Sequence, residues 1–179
     1  VTQPEAFDAL RWIIMRYSES APFSGNPVQP PYLRVYPTAQ VLGTIPSWDW
    51  HRARLDSARY SAIYHFAQRA DALERLGATG RIAHLAAALD DIPGVGPWSV
   101  AEALQGFCGH PDAVSVGDYH LAHTVGFAFT GERTDDAGML RLLAPYAGHR
   151  QRVVRLIQEA GIRKPRYGAR ISIPDYRDF

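Results

Sequence analysis

The residues best able to do chemistry begin with one run, Ile92-Pro93-Gly94-Val95-Gly96-Pro97-Trp98. Pro93 stops a helix, and Pro97 suits the first turn of the next, where its missing N–H costs nothing. Gly94 and Gly96 allow backbone angles that other residues resist and keep side chains out of the turn. Val95 between them is expected to plug the core between the two helices. Such a turn aims free backbone N–H groups from a helix N-terminus, where the macrodipole favours an anion. A DNA phosphate is a natural occupant, gripped without regard to base sequence. Ile92, Gly94, Val95, Gly96 and Pro97 are therefore the candidate DNA-binding residues. A turn whose glycines serve packing alone is the bland alternative. Ile92-Pro93 before the turn and the small Ala101 on the helix after it favour a DNA-binding helix-hairpin-helix. Carbonyls of such a turn can also hold a monovalent cation.

Downstream lies Val116-Gly117-Asp118-Tyr119-His120-Leu121, with Asp118 twenty residues after Trp98. Taken alone, Asp118 reads as the N-cap of a following helix. Taken with the hairpin, the pair of segments resembles the helix-hairpin-helix DNA glycosylase superfamily, most closely its alkylpurine branch of the 3-methyladenine DNA glycosylase II type. The likeness extends less sharply through Pro46-Ser47-Trp48-Asp49-Trp50-His51 and Pro145-Tyr146-Ala147-Gly148-His149-Arg150. The resemblance implies that Asp118 is the catalytic carboxylate, a role compatible with capping. The chemistry is sound on its own terms. Breaking an N-glycosidic bond develops oxocarbenium character on the sugar, which a fixed anion stabilises. The same carboxylate can orient or deprotonate the attacking water.

The resemblance also implies a base flipped from the duplex into an aromatic pocket. Trp98 is the first candidate for the wall that meets a cationic alkylpurine, and Tyr119 the second. Glu102 stands where the branch carries a pocket tyrosine, so it joins the candidate substrate-binding residues. Strand-cutting relatives place a Schiff-base lysine where this chain has Trp98, and the only lysine here is Lys164. The resemblance thus implies monofunctional hydrolysis of alkylated purines in double-stranded DNA, and a monomer that requires no cofactor is expected. The alternatives are a non-catalytic helix-hairpin-helix DNA-binding module and an α-helical protein-interaction domain.

The elements that must position these groups read as helices throughout. Apolar spacing and caps predict helices at 4–19, from Thr38 to 42, at 48–51 capped by Ser47, and from Asp56 to 76 with Gly77 as the stop. Further helices are expected at 81–91, from Pro97 to a close at Gly106 and Gly109, and at 118–129, 135–143 and 149–159. Residues 20–37 are proline-rich loop, and the tail from Lys164 is expected to be extended. The 113–116 run is too short to build a sheet. Trp48 and Trp50 read as core or helix-junction residues. The expected fold is all-α, one multi-helix glycosylase-like domain over residues 1–179.

Composition narrows the class further. The chain is 46% hydrophobic and 21% charged, as expected of a soluble globular protein. No apolar run approaches the ~18 residues that a membrane span needs. Cys108 is the only cysteine, which excludes an internal disulfide, a zinc ribbon and a four-cysteine iron–sulfur cluster. A bacterial cytoplasmic, nucleoid-associated protein is the simplest expectation. His120 and His123 lack a third ligand spaced to join them, so no metal site is expected. A net charge of +1 conceals an asymmetry. From Arg141 to Arg170, Arg141, Arg150, Arg152, Arg155, Arg163, Lys164, Arg166 and Arg170 face only Glu159, which suits a phosphate backbone. Val1 ahead of an immediate helical pattern reads as a start inside a larger architecture, with the branch's wedge residue and N-terminal domain upstream.

Overall fold

The computed structural model describes residues 3–22 and 33–162. Among these the chain is all-α, as its spacing predicts. The order is α1 (Gln3–Tyr17), α2 (Ala39–Leu42), α3 (Ser47–Arg52), α4 (Ser57–Ala78), α5 (Ile82–Asp90), α6 (Pro97–Cys108), α7 (Leu121–Thr130), α8 (Asp136–Leu143), a 3-10 turn at Ala144–Tyr146, and α9 (Arg150–Glu159). No helix among the described residues is long and apolar enough to cross a membrane. The expected extended tail, with Arg163, Lys164, Arg166 and Arg170, lies outside the described residues, as does the middle of the proline-rich loop. The edges of that loop meet in an isolated antiparallel bridge between Ser20 and Arg34.

The described chain forms two compact units. The first holds α1 to α4 and residues 92–94. Its core gathers Ile13, Ile45, Trp50 and Ala53, with Tyr17, Leu42 and Tyr60 packed around them. Asp49 is 2% exposed in this unit. A buried carboxylate is tolerable only when fully paired. Asp49 accepts hydrogen bonds from Arg16 Nε at 3.2 Å, from Arg52 Nη1 at 3.2 Å and from the Tyr17 hydroxyl. These partners hold its pKa below the usual carboxylate value, the Tyr17 hydrogen bond contributing most.

The second unit holds residues 79–91 and the described chain from 95 onward. Its core is built from Val114, Leu121, Ala122, Val125, Met139, Leu143, Val154 and Ile157. Three helices, α7, α8 and α9, therefore share one apolar centre with the segment that precedes α7. Leu85 and Leu89 on α5, with Ala101 and Leu104 on α6, are buried as well.

Local caps behave as their chemistry dictates. Thr38 Oγ1 accepts from Val41 N at 3.3 Å, and Asp135 Oδ1 accepts from Gly138 N at 2.7 Å. Several boundaries differ from expectation. Ser47 is the first residue of α3 rather than its cap, which is Pro46. Helix α4 runs through Gly77 to Ala78, because a helical glycine costs only about 1 kcal/mol against alanine and does not by itself end a helix. Helix α6 passes through Gly106 to Cys108, with Gly109 as its C-cap. Helix α7 starts at Leu121 rather than at 118, with Asp118 ahead of it accepting from His120 N and Leu121 N through one oxygen.

Candidate active site

The hairpin turn takes its shape from Gly94, whose φ is +87°. A Cβ at Gly94 would also lie 3.1 Å from the Ala62 Cβ on α4. Conformation and close approach therefore both select glycine there. The buried apolar residue of the turn is Ile92, only 1% exposed, whereas Val95 is half-buried. Ile92 is the last apolar side chain before the glycines.

Pro97 sits at the first turn of α6, as expected. Gly96 O accepts from Val100 N at 3.0 Å and closes that turn. The N–H groups of Trp98 and Ser99 find no backbone acceptor outside the helix among the described residues. They remain available to an anion at the positive end of the helix.

Trp98, one residue into the helix, is 44% exposed. Its indole Nε1 donates to Asp118 Oδ2 at 3.3 Å. The first candidate aromatic and the candidate carboxylate are thereby in direct contact. The other oxygen of the same group, Oδ1, accepts from His120 N at 2.7 Å and from Leu121 N at 2.8 Å. One carboxylate thus caps α7 through one oxygen and meets the tryptophan through the other.

Gly117, whose φ is +87°, turns the chain sharply just before Asp118. Its N–H donates to Asp136 Oδ2 at 3.1 Å. Asp136, at the start of α8, thereby ties down the turn that carries Asp118. No local signal marked Asp136 for this, because its partner is nineteen residues earlier.

Glu102 lies one helical turn beyond Trp98 on the same face of α6. Its Oε1 accepts a hydrogen bond from the Ser115 hydroxyl. Ser115 Oγ in turn accepts from Gln105 Nε2 at 2.8 Å, and the same Nε2 donates to Ala113 O at 2.9 Å. Gln151 Nε2 on α9 donates to Gln105 Oε1 at 2.7 Å. One face of α6 therefore grips the loop before α7 at two levels, through Trp98 to Asp118 and through Glu102 and Gln105 to Ser115.

Asp112 fixes the start of the same loop. Its Oδ1 accepts from Arg150 N at 2.9 Å and from Arg150 Nε at 2.8 Å, and its Oδ2 pairs with Arg150 Nη2. This bidentate pair holds the Asp112 carboxyl well below the usual carboxylate range, with the Arg150 side chain as the main cause. Arg150 is consequently committed to the fold and is not a free cation for a phosphate. Arg155 is likewise paired, with Glu159 at 3.1 Å.

The remaining candidates fall around these. Tyr119 is 78% exposed, its ring edge-on to that of His120 at 4.7 Å. His123 Nδ1 bonds Thr134 O at 2.8 Å, and no group of His, Cys, Asp and Glu able to hold a metal occurs among the described residues. Trp50 is buried as expected, but Trp48 is exposed. Residues two apart on a helix point to nearly opposite sides, so only one of the two can enter the core.

No protein-family model and no curated protein matches the sequence. The fold is similar to that of a solved structure, MBOgg1 in complex with a low affinity DNA ligand, at a TM-score of 0.69 and 13% identity. The match covers 90% of this chain and 56% of that chain, so this chain spans little more than half the length of its structural neighbour. The likeness is one of fold.

Proposed function

We propose that the chain is a monofunctional DNA glycosylase that hydrolyses the N-glycosidic bond of alkylated purines in double-stranded DNA. The observation that carries this reading is the contact of Trp98 Nε1 with Asp118 Oδ2 at the start of the helix that follows the hairpin. It puts a half-exposed aromatic face beside a carboxylate whose orientation two backbone N–H groups already fix. A fold shared with a protein solved on a DNA ligand supports DNA as the partner.

In this mechanism the hairpin and the first turn of α6 hold a phosphate, and the damaged nucleotide swings out of the stack. Trp98 stacks on the base, and attraction to a cationic purine adds about 0.5–2 kcal/mol. The bond from sugar C1′ to the base nitrogen breaks, and its electron pair leaves with the base. Asp118 stabilises the cationic sugar and accepts a proton from the water whose oxygen adds to C1′. A neutral base and an abasic site result. Trp98 carries no amine, so this site forms no Schiff base with the sugar and leaves the strand intact.

A second reading, a non-catalytic DNA-binding module, is favoured by one observation. The two N–H bonds to Asp118 Oδ1 give that residue a complete structural role as a cap. Mass spectrometry of bases freed from methylated duplex separates the two. The glycosylase yields free methylpurine and alkali-labile sites. Salt-sensitive binding with no release at enzyme excess establishes the module instead.

A further inference from the structure

The hydrogen-bond chain behind Glu102 has only one possible direction. Ala113 O is a carbonyl and can only accept, so the Gln105 group facing it must be the amide nitrogen. Gln105 Oε1 is then an acceptor, and Gln151 must donate to it. Ser115 Oγ receives the Gln105 N–H, which leaves its single proton for Glu102. Ser115 is 4% exposed, so its hydroxyl has little solvent to turn to. Apart from the Gln105 N–H given to Ala113 O, the donors run from Gln151 through Gln105 and Ser115 to the Glu102 carboxylate.

Glu102 itself is exposed and forms no ion pair among the described residues. One oxygen is pinned by a buried hydroxyl, and no basic side chain among the described residues lies within ion-pair distance of the group. The nearest aromatic along its helix face is Trp98, whose half-exposed ring holds Asp118 through its N–H. A planar cation stacked on that ring would lie beside Asp118, and Glu102, one helical turn along the same face, adds a second negative charge. A neutral base of the same shape gains nothing from them and forces their partial desolvation.

We propose that Glu102 is a specificity-determining residue that makes the site prefer a positively charged base over its neutral counterpart. The inference rests on the glycosylase reading for the identity of the ligand, but it can be tested without turnover. Glu102→Gln is the decisive variant. Its amide oxygen still accepts from Ser115, so the anchor is kept while the charge is lost.

The test measures binding to two duplexes that differ at one nucleotide. One carries 2′-fluoro-7-methyl-deoxyguanosine, which is cationic and resists hydrolysis; the other carries 2′-fluoro-deoxyguanosine. The wild-type chain is expected to favour the cationic duplex by about tenfold, and E102Q to lose most of that preference through weaker binding of the cationic duplex. Equal preference in E102Q and wild type, or none in wild type, overturns the proposal. Base release from hydrolysable 7-methylguanine DNA is followed in parallel. A charge preference that E102Q abolishes, without release, supports the role of Glu102 and removes the hydrolytic reading. Release with discrimination unchanged in E102Q overturns the role of Glu102 and keeps the hydrolytic reading.

Discussion

The indole N–H of Trp98 donates to Asp118 Oδ2 at 3.3 Å, across twenty residues of sequence. This single bond joins the helix that follows the hairpin to the turn that carries the carboxylate. Trp98→Phe keeps an aromatic face but removes the donor. Losing one hydrogen bond to a charged group, at about 1.5 kcal/mol, should slow single-turnover base release about tenfold. Affinity for undamaged duplex should stay near that of the wild type. An unchanged release rate in W98F would show that the bond does not position the carboxylate.

The structural and chemical duties of Asp118 can be separated. Asparagine caps a helix as well as aspartate does, whereas alanine does not. Asp118→Asn should therefore retain wild-type stability, and Asp118→Ala should lose about 1 kcal/mol. Urea unfolding of both variants checks this. Equal stability in the two would mean that the bonds to His120 N and Leu121 N contribute nothing to α7.

At Gly94, an alanine meets a left-handed backbone and a Cβ contact of 3.1 Å with Ala62. Gly94→Ala should cost about 1–2 kcal/mol of stability. The denaturation midpoint should fall with the m-value unchanged, and duplex affinity should fall with it. A variant as stable as the wild type would show that α4 can shift away from the turn.

The Asp112–Arg150 pair makes a pH prediction. The folded-state pKa of Asp112 lies below its ordinary value of 3.8, so the pair's contribution is present above that value and lost as pH falls through the folded one. Asp112→Asn should cost about 2 kcal/mol at neutral pH. The stability gap between variant and wild type should stay constant down to about pH 5 and close below the ordinary carboxylate range. A gap that persists unchanged into strong acid would rule out ionisation as its source.

The parts of this fold legible in the sequence are those written locally. Thr38, Asp135 and Pro97 act on backbone groups within a few residues, and each appears where its chemistry places it. Boundaries shifted where a signal was ambiguous, as at Gly77 inside α4 and at Asp118, which caps α7 without belonging to it. The candidate pair of Trp98 and Asp118 was visible because a known motif spaces them. The supports around that pair were not. Glu102 with Ser115, Gln105 with Gln151, Gly117 with Asp136 and Asp112 with Arg150 are joined only by tertiary folding. No periodicity or cap couples residues so far apart. The buried Asp49 cluster is hidden from the sequence for the same reason, since Arg16 and Tyr17 lie on another helix.

The most direct measurement is single-turnover release of methylpurines from alkylated duplex by the wild-type chain and by Asp118→Asn, followed by mass spectrometry alongside duplex affinity. Removing the charge while keeping the cap should reduce release at least about a hundredfold and leave binding intact. Release by D118N at the wild-type rate would contradict the assignment of Asp118 as the catalytic carboxylate.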